Sequence, residues 1–593
     1  MSSFLSTQHY SPFLVLLVGL STFVGLWGLG TVLLSAFRVR LPAPWDQVTA
    51  VLLGIQALSL TVQVAAMAEI ASIAALRGIW WMLIVQGSFM LLIRTRSTAF
   101  MRLLPPCTRC GPAILLIAII AAAILINALV AVAPSTKIDE LYYHMLVPSR
   151  IVSDGMLHFY REPWLGAMWP QMVYQITAAP THAIGVPDAT NIVSWSLSVT
   201  LLWFAWRIIR ANANTLTWTT LCVASLCVGV YPVVWHVTGG AHAMGDLAIA
   251  AAVVAFCLRE RLLAAVPPIA FCFMLSILLL SAATSKLSLI PISGMLLCGG
   301  LWPLIKSGAP LTRLQVLLAA AAPWIIFFCP IVFWTWAHAG SPFGPVLTGL
   351  HNFEAERNTS ELPFFLVRNI ALGYSPFIWL GAIGAIFTSG LDKARRIFLT
   401  CLVALQSLLI FWLLPYDVRY FTLHYGLFIV FAFFGPFATS EQLHSARGAF
   451  LAAAVFLLPW LAIQTYYAKQ FVSVSMGVGK NAFYQRYIAL YADYVALDRL
   501  LPKDAILFLF APGFRISAVY APRRIFLDEG DLPPGKSVAM ITLQETDPGY
   551  VLKNYKIGEE IYENRQAILG AYRTPGRAPL VGSIKAVKLI QTE

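Results

Sequence analysis

Residues 136–144 read Thr-Lys-Ile-Asp-Glu-Leu-Tyr-Tyr-His, directly after an apolar run that ends near Val132. Two adjacent carboxylates, Asp139 and Glu140, therefore stand where a transmembrane helix is expected to emerge into water. Ionisable residues at the rim of a hydrophobic span are rare, and a pair held there is a candidate functional site. A carboxylate in that position can take a proton from an acceptor hydroxyl or amine. The same residues also fit quieter roles. Thr136 and Asp139 suit the ends of a capping box, and Glu140 with His144 suits an ordinary i,i+4 pair.

The elements that must position this pair follow from composition. Of 593 residues, 59% are hydrophobic and only 11% are charged, against about 25% charged in soluble domains. Mean hydropathy is +0.75. So much apolar sequence requires lipid as solvent. The apolar runs predict fourteen spans, roughly 11–37, 47–75, 79–93, 112–133, 191–209, 216–232, 247–258, 267–283, 287–305, 314–336, 366–389, 397–414, 420–440 and 449–467. No basic residue precedes Arg38, so the n-region of a cleaved signal is not expected. Alternate loops divide the basic residues unequally. One set, which includes Arg38, Arg94, Arg259, Arg313 and Arg395, holds sixteen Lys and Arg; the other holds eight, although its loops are longer. The positive-inside rule assigns the first set to the cytoplasm, so the N-terminus and the C-terminal segment face outward.

Charge and cysteine usage exclude other classes. The net charge of +13 comes from basic residues scattered between apolar runs, with no basic stripe, so nucleic acid is not an expected partner. The short inner loops carry no P-loop, which argues against ATP-driven transport. Most cysteines lie inside apolar runs, and Cys107-Thr-Arg-Cys110 reads as two unrelated thiols. Asp139, Glu140, Asp154, Asp188, Asp246 and Asp417 fall in the outer set, as do His144, His236 and His242. The outer loops 134–190 and 337–365 are the long ones. In the first, Leu141, Met145, Leu146 and Ile151 make an apolar face at helical spacing, beside Trp164 and Trp169, which predicts an amphipathic helix along the membrane surface. Glu354, Glu356 and Glu361 read as a solvated loop face, and Asn358-Thr-Ser360 is a sequon that matters only in a eukaryotic secretory membrane. After residue 467 the chain becomes polar. A helix over Gln485–Leu501 and strands at Ala505–Phe510, Arg524–Leu527, Val538–Leu543 and Leu580–Ile590 predict a small α/β domain. The expected fold class is an all-α polytopic membrane protein of about 13–14 transmembrane helices with a small C-terminal α/β extracytoplasmic domain. It divides into extra helices over 1–111, a transmembrane module over 112–467 and the outer domain over 468–593.

Over residues 112–467, in order, the chain resembles the GT-C glycosyltransferases, in particular the protein O-mannosyltransferase and aminoarabinose-transferase group. Asp139-Glu140 followed by Tyr142-Tyr143-His144 resembles the family's acidic pair with trailing aromatics. Gly245-Asp246 resembles its second acidic position, and Thr284-Ser285-Lys286 its basic position at a helix end. Ala339-Gly-Ser-Pro-Phe-Gly-Pro345 is similar to the outer-loop "Gly-Asn-Pro" motif, with Ser341 for Asn. Asp417-Val-Arg419-Tyr420 is similar to the late Arg-Tyr motif, without its following proline. Three spans over 11–93 come before the one that leads into the acidic pair, whereas the family usually has one.

The resemblance implies an inverting hexosyl or pentosyl transferase of a bacterial inner membrane, with active site and C-terminal domain on the periplasmic face. Its partners are a polyprenyl-phosphate sugar, membrane lipid, and an extracytoplasmic acceptor that is a glycan, lipid or protein. It implies Asp139 as base and Glu140 as helper or positioning group. Lys286 and Arg419, then Lys137 and Arg150, are candidates to bind the donor phosphate, whose charge grows as the sugar leaves; Lys286 and Arg419 also fit plain interfacial snorkelling. Asp246, Tyr142, Tyr143, His144, His242 and Tyr420 are candidate substrate-binding residues. His236, His242 and Asp246 could also hold a divalent metal, with no other cofactor expected, and Asp246 also fits a helix N-terminal acid. Two rivals remain: a lipid or lipid-linked-sugar transporter, for which no internal repeat is visible, and a non-catalytic membrane scaffold.

Overall fold

The computed structural model describes residues 11–95, 111–137, 140–159, 172–213, 215–342, 362–412, 418–435, 446–510, 519–526, 528–544, 552–570 and 578–592. It is mostly helical, with a small C-terminal sheet. Among the described residues, ten helices are long and apolar enough to cross a membrane. An eleventh is reached if the pair Phe365–Ala371 and Pro376–Phe387, bent by 85°, counts as one span. The fourteen expected spans each coincide with helix. Three of them, however, are short: Leu216–Cys227, His242–Cys257 and Leu423–Phe434. At 1.5 Å per residue, their 12, 16 and 12 residues reach only about 18–24 Å, short of a hydrocarbon core of about 30 Å. Among the described residues, ten or eleven helices of spanning length thus stand where 13–14 are expected, because a hydropathy window reads burial in protein as burial in lipid. Every residue of His242–Cys257 is buried. It packs against Ala189–Asn212, Pro268–Ser285 and Leu423–Phe434.

The N-terminal helices are part of the same packing. Helix α1 (Pro12–Ala36) crosses α2 (Trp45–Met67) and α3 (Ile73–Thr95) closely. A Cβ at Gly30 would fall on the Ala50 carbonyl, and one at Gly54 on the Leu26 carbonyl, the small-residue crossing by which helices associate in lipid. From α2, Gln56 Nε2 donates to Ser281 Oγ at 3.3 Å and Thr284 Oγ1 at 3.0 Å on the Pro268–Ser285 helix. From α3, Arg77 Nε donates to the Ala183 carbonyl at 2.8 Å. Helix α4 (Gly111–Val132) delivers the chain to the acidic pair and packs on Leu216–Cys227 and Arg447–Ala468.

Beyond α4, one π-helical turn, Glu140–His144, leads into the helix Leu146–Asp154. The expected apolar face is present, but Leu141, Met145, Leu146 and Ile151 are buried within the protein, against the Ala179–Ala183 turn among others. Trp164, Trp169, the Cys107–Cys110 pair, Asp417 and most of the 337–365 loop, Asn358 and its three glutamates included, lie outside the described residues.

The C-terminal sheet has strands β1 (Ile506–Phe510), β2 (Ile525–Phe526), β3 (Val538–Leu543), β4 (Tyr555–Gly570) and β5 (Leu580–Gln591), in the order β2-β1-β3-β5-β4. β1 runs parallel to β2 and β3, whereas β5 runs antiparallel to β3 and β4. Four strands fall where the alternation predicts them. β4 lies outside the expected strands, because most of this edge strand is charged and half-exposed (Lys556, Glu559, Glu560, Glu563, Arg565) and only its end, at Ala567 and Leu569, is buried. The single helix expected over Gln485–Leu501 is two, Lys480–Tyr487 and Tyr491–Leu500, separated at Leu490, whose φ of 55° no helix interior tolerates.

Candidate functional site

The approach to the acidic pair is tied down before it arrives. Ser135 N–H reaches Asp188 Oδ1 at 3.0 Å, and Asn191 Nδ2 donates to Ser135 Oγ at 3.0 Å. Regular structure resumes at Glu140. Asp139 lies outside the described residues, as do the side chains of Tyr142 and Tyr143. Glu140 is 1% exposed, and its Oε1 accepts the Gly239 N–H at 2.6 Å. A buried carboxylate needs such donors, since an unpaired one is costly. One π turn on, Gln175 Nε2 pairs with His144 Nδ1 at 2.6 Å, and the other ring nitrogen is Nε2. That nitrogen faces Gly240, where a Cβ would lie 3.3 Å from it and 3.0 Å from His242 Cδ2. Gly239 and Gly240 thus let backbone approach an acid and two imidazoles, with the His144 and His242 rings 6.3 Å apart.

Three of the four candidate cations join this group. Trp235, the last residue of the Val230–Trp235 helix, packs edge-on against His242, ring centroids 4.5 Å apart. Lys137 Nζ lies over the Trp235 ring, and the Arg419 guanidinium lies 4.7 Å from the same ring. Arg419 and Lys286 also lie over Tyr420, at 5.2 and 5.1 Å, and Lys286 Nζ donates to the Arg419 carbonyl. Residues 137, 286 and 419, far apart in sequence, therefore converge at Trp235 and Tyr420. Cations held on aromatic faces are attracted by the ring quadrupole, yet three in one place repel one another, which suits the arrangement to an anion.

Arg150 does not join them. It is buried, donates to the Ile525 carbonyl and lies 5.7 Å from the Phe526 ring. Arg150 thus faces the C-terminal domain.

Asp246 sits one turn inside the His242–Cys257 helix, with no acid in the first turn, so it is not a helix N-terminal acid. It is fully buried. Its Oδ2 accepts from Tyr231 Oη at 2.8 Å and from His236 Nε2 at 2.8 Å. His236 Nδ1 pairs with Ser198 Oγ at 2.9 Å, and Tyr374, Tyr425 and His424 wall the cluster with ring separations of 4.4–5.8 Å. His236 and Asp246 thus pair through Oδ2, with Asp246 Oδ1 buried and, among the described residues, without a hydrogen-bond partner, while His242 turns to Trp235. Among the described residues, no group of three His, Cys, Asp or Glu side chains could hold a metal ion, and the metal expectation is not carried further.

Sequence reading missed Trp235, Gln175, Tyr231 and Gly239-Gly240. Only the glycine pair, directly before the His242 segment, left a readable signal, because two adjacent glycines mark a turn of close backbone approach.

No family model matches the chain, and no curated protein matches it.

Proposed function

We propose that the chain is a GT-C-type membrane glycosyltransferase. It moves a sugar from a polyprenyl-phosphate donor to an acceptor on the outer, periplasmic face of a bacterial inner membrane. The observation that carries this reading is the meeting of Lys137, Lys286 and Arg419 on Trp235 and Tyr420, beside Glu140, His144 and His242. Those cations would take the phosphate. The acceptor oxygen or nitrogen attacks the anomeric carbon from the face opposite the phosphate, and the bond from that carbon to the phosphate oxygen breaks. The electron pair leaves with the polyprenyl phosphate, whose added charge the cations neutralise. The acceptor proton passes to a carboxylate, with Asp139 as base. Glu140, held by Gly239, is the anchored member of the pair and orients the segment. A single displacement inverts the anomeric configuration.

The test is sugar transfer by purified protein in nanodiscs, from a panel of radiolabelled polyprenyl-phosphate sugars to membrane-extract acceptors. Asp139→Asn is expected to lower the rate by at least about a hundredfold, within the range of general base catalysis. Transfer that survives in this variant moves the base to Glu140 or another group. Absence of transfer from every donor, with lipid binding intact, favours a transporter or scaffold and sinks the proposal.

A further inference from the structure

One short stretch of the C-terminal domain holds both ends of the acidic segment. Tyr520 Oη donates to Asp188 Oδ1 at 2.6 Å and accepts the Ser135 N–H at 3.1 Å, while that same N–H also reaches Asp188. Ser135, Asp188 and Tyr520 are all buried. Asn191 Nδ2 adds a 3.4 Å bond to the Ala133 carbonyl, so the chain between α4 and the acidic pair has few free rotations left. At the far end of the segment, Arg524 pairs with Asp154 at 2.6 Å, with a second contact at 3.1 Å, and Arg150 donates to the Ile525 carbonyl. Residues 520–526 thus bridge residues 135 and 188 on one side and residues 150 and 154 on the other. A domain that merely covered the site would have no reason to grip this one segment twice with buried hydrogen bonds and an ion pair.

We infer that the C-terminal domain is a clamp on the acidic segment, with Tyr520 and Asp188 as positioning residues that fix the path of the chain into Asp139 and Glu140. The inference rests on the reading of that segment as the carrier of the base. The clamp acts through the backbone: the Ser135 N–H is four residues before Asp139, and the phenol and carboxylate that receive it come from two other parts of the chain. It also gives the domain a task that needs no catalytic residue of its own.

The experiment uses the full chain in detergent and compares wild type with Tyr520→Phe, which keeps the ring packed on Tyr484 at 5.0 Å and removes only the hydroxyl. Hydrogen exchange read by mass spectrometry should show amides of 133–137 exchanging about tenfold faster, the effect of losing one buried charge-assisted hydrogen bond. Exchange in β3 and β5 should stay unchanged. In the transfer assay, kcat should fall about tenfold while KM for the donor stays within twofold, a split that loss of fold alone does not produce. Asp188→Asn should act in the same direction on both. Unchanged exchange at 133–137 overturns the clamp, and faster exchange with unaltered kcat overturns the positioning role. Should Tyr520→Phe not fold, Arg524→Ala, which removes the Asp154 ion pair, carries the same test at residues 146–154. If wild type transfers no sugar, the proposed function fails, and the exchange result alone decides the clamp.

Discussion

At the scale of single residues, buried charge is the dominant quantity. Asp188 combines burial, which pushes its carboxyl up from the usual 3.8 to about 6, with hydrogen bonds from Tyr520 and Ser135 that pull it down and the nearby Glu140, which raises it. A carboxyl whose pKa is raised on folding binds its proton more tightly in the folded chain, so stability falls as pH rises through the window from about 4 to about 6 and then levels off. The full effect is about 3 kcal/mol, or about 2 °C in thermal midpoint for a chain of this size. Asp188→Asn lacks that titration. The midpoint of wild type relative to the variant is therefore expected to drop by this amount between pH 4 and pH 7 in detergent; a constant difference refutes the account. The sequence made Asp188 legible only as one more outer acid. Its partner Tyr520 lies 332 residues away, and no local pattern encodes such a pairing. The cations show the same limit: Lys286 and Arg419 are readable as charges at span ends, but their meeting at Tyr420, and that of Arg419 with Lys137 on Trp235, depends on four chain segments arriving together.

Elements account for what was legible. Continuous apolar runs locate α1 to α4 and short apolar stretches locate β1, β2, β3 and β5, whereas β4, broken by charges along its length, leaves no such run. The extra N-terminal helices, unexplained by resemblance, are explained by packing, since Gln56 ties α2 to the helix that ends just before Lys286. This union depends on the close crossing of α1 and α2. Gly54→Ala places a methyl group against the Leu26 carbonyl and is expected to destabilise by about 1–3 kcal/mol, the usual penalty of overpacking. A thermal-unfolding series in detergent measures it, and a midpoint equal to wild type disproves the tight crossing. An exposed glycine with open space, such as Gly294, serves as the control.

For the whole molecule, charge asymmetry and the clamp make linked statements about orientation. The docking of residues 520–526 onto 135–154 puts the sheet beside the acidic pair, and the loop-charge assignment expects that side to be the outer one. A cysteine introduced at Lys556 on β4 is expected to react with a membrane-impermeant maleimide from the outer face of intact cells. A cysteine at Arg313 should react only after permeabilisation. The reverse pattern inverts the topology, and labelling of both sites from outside contradicts the loop assignment. Fold class was legible here because composition alone demands lipid; helix length was not, because three apolar helices are packed among protein neighbours and stop short of spanning length.

Those three helices have a further consequence. His242–Cys257 and its short companions are shorter than the lipid tails are deep, so the polar residues at their ends sit at a depth set by the surrounding longer helices. Bilayer thickness then becomes a variable of the site. The depth of the cation cluster is then expected to shift with bilayer thickness, to the extent that tilt of the long outer helices does not absorb the mismatch. Acyl-chain length is expected to act on such a site from outside the chain, without any change of sequence.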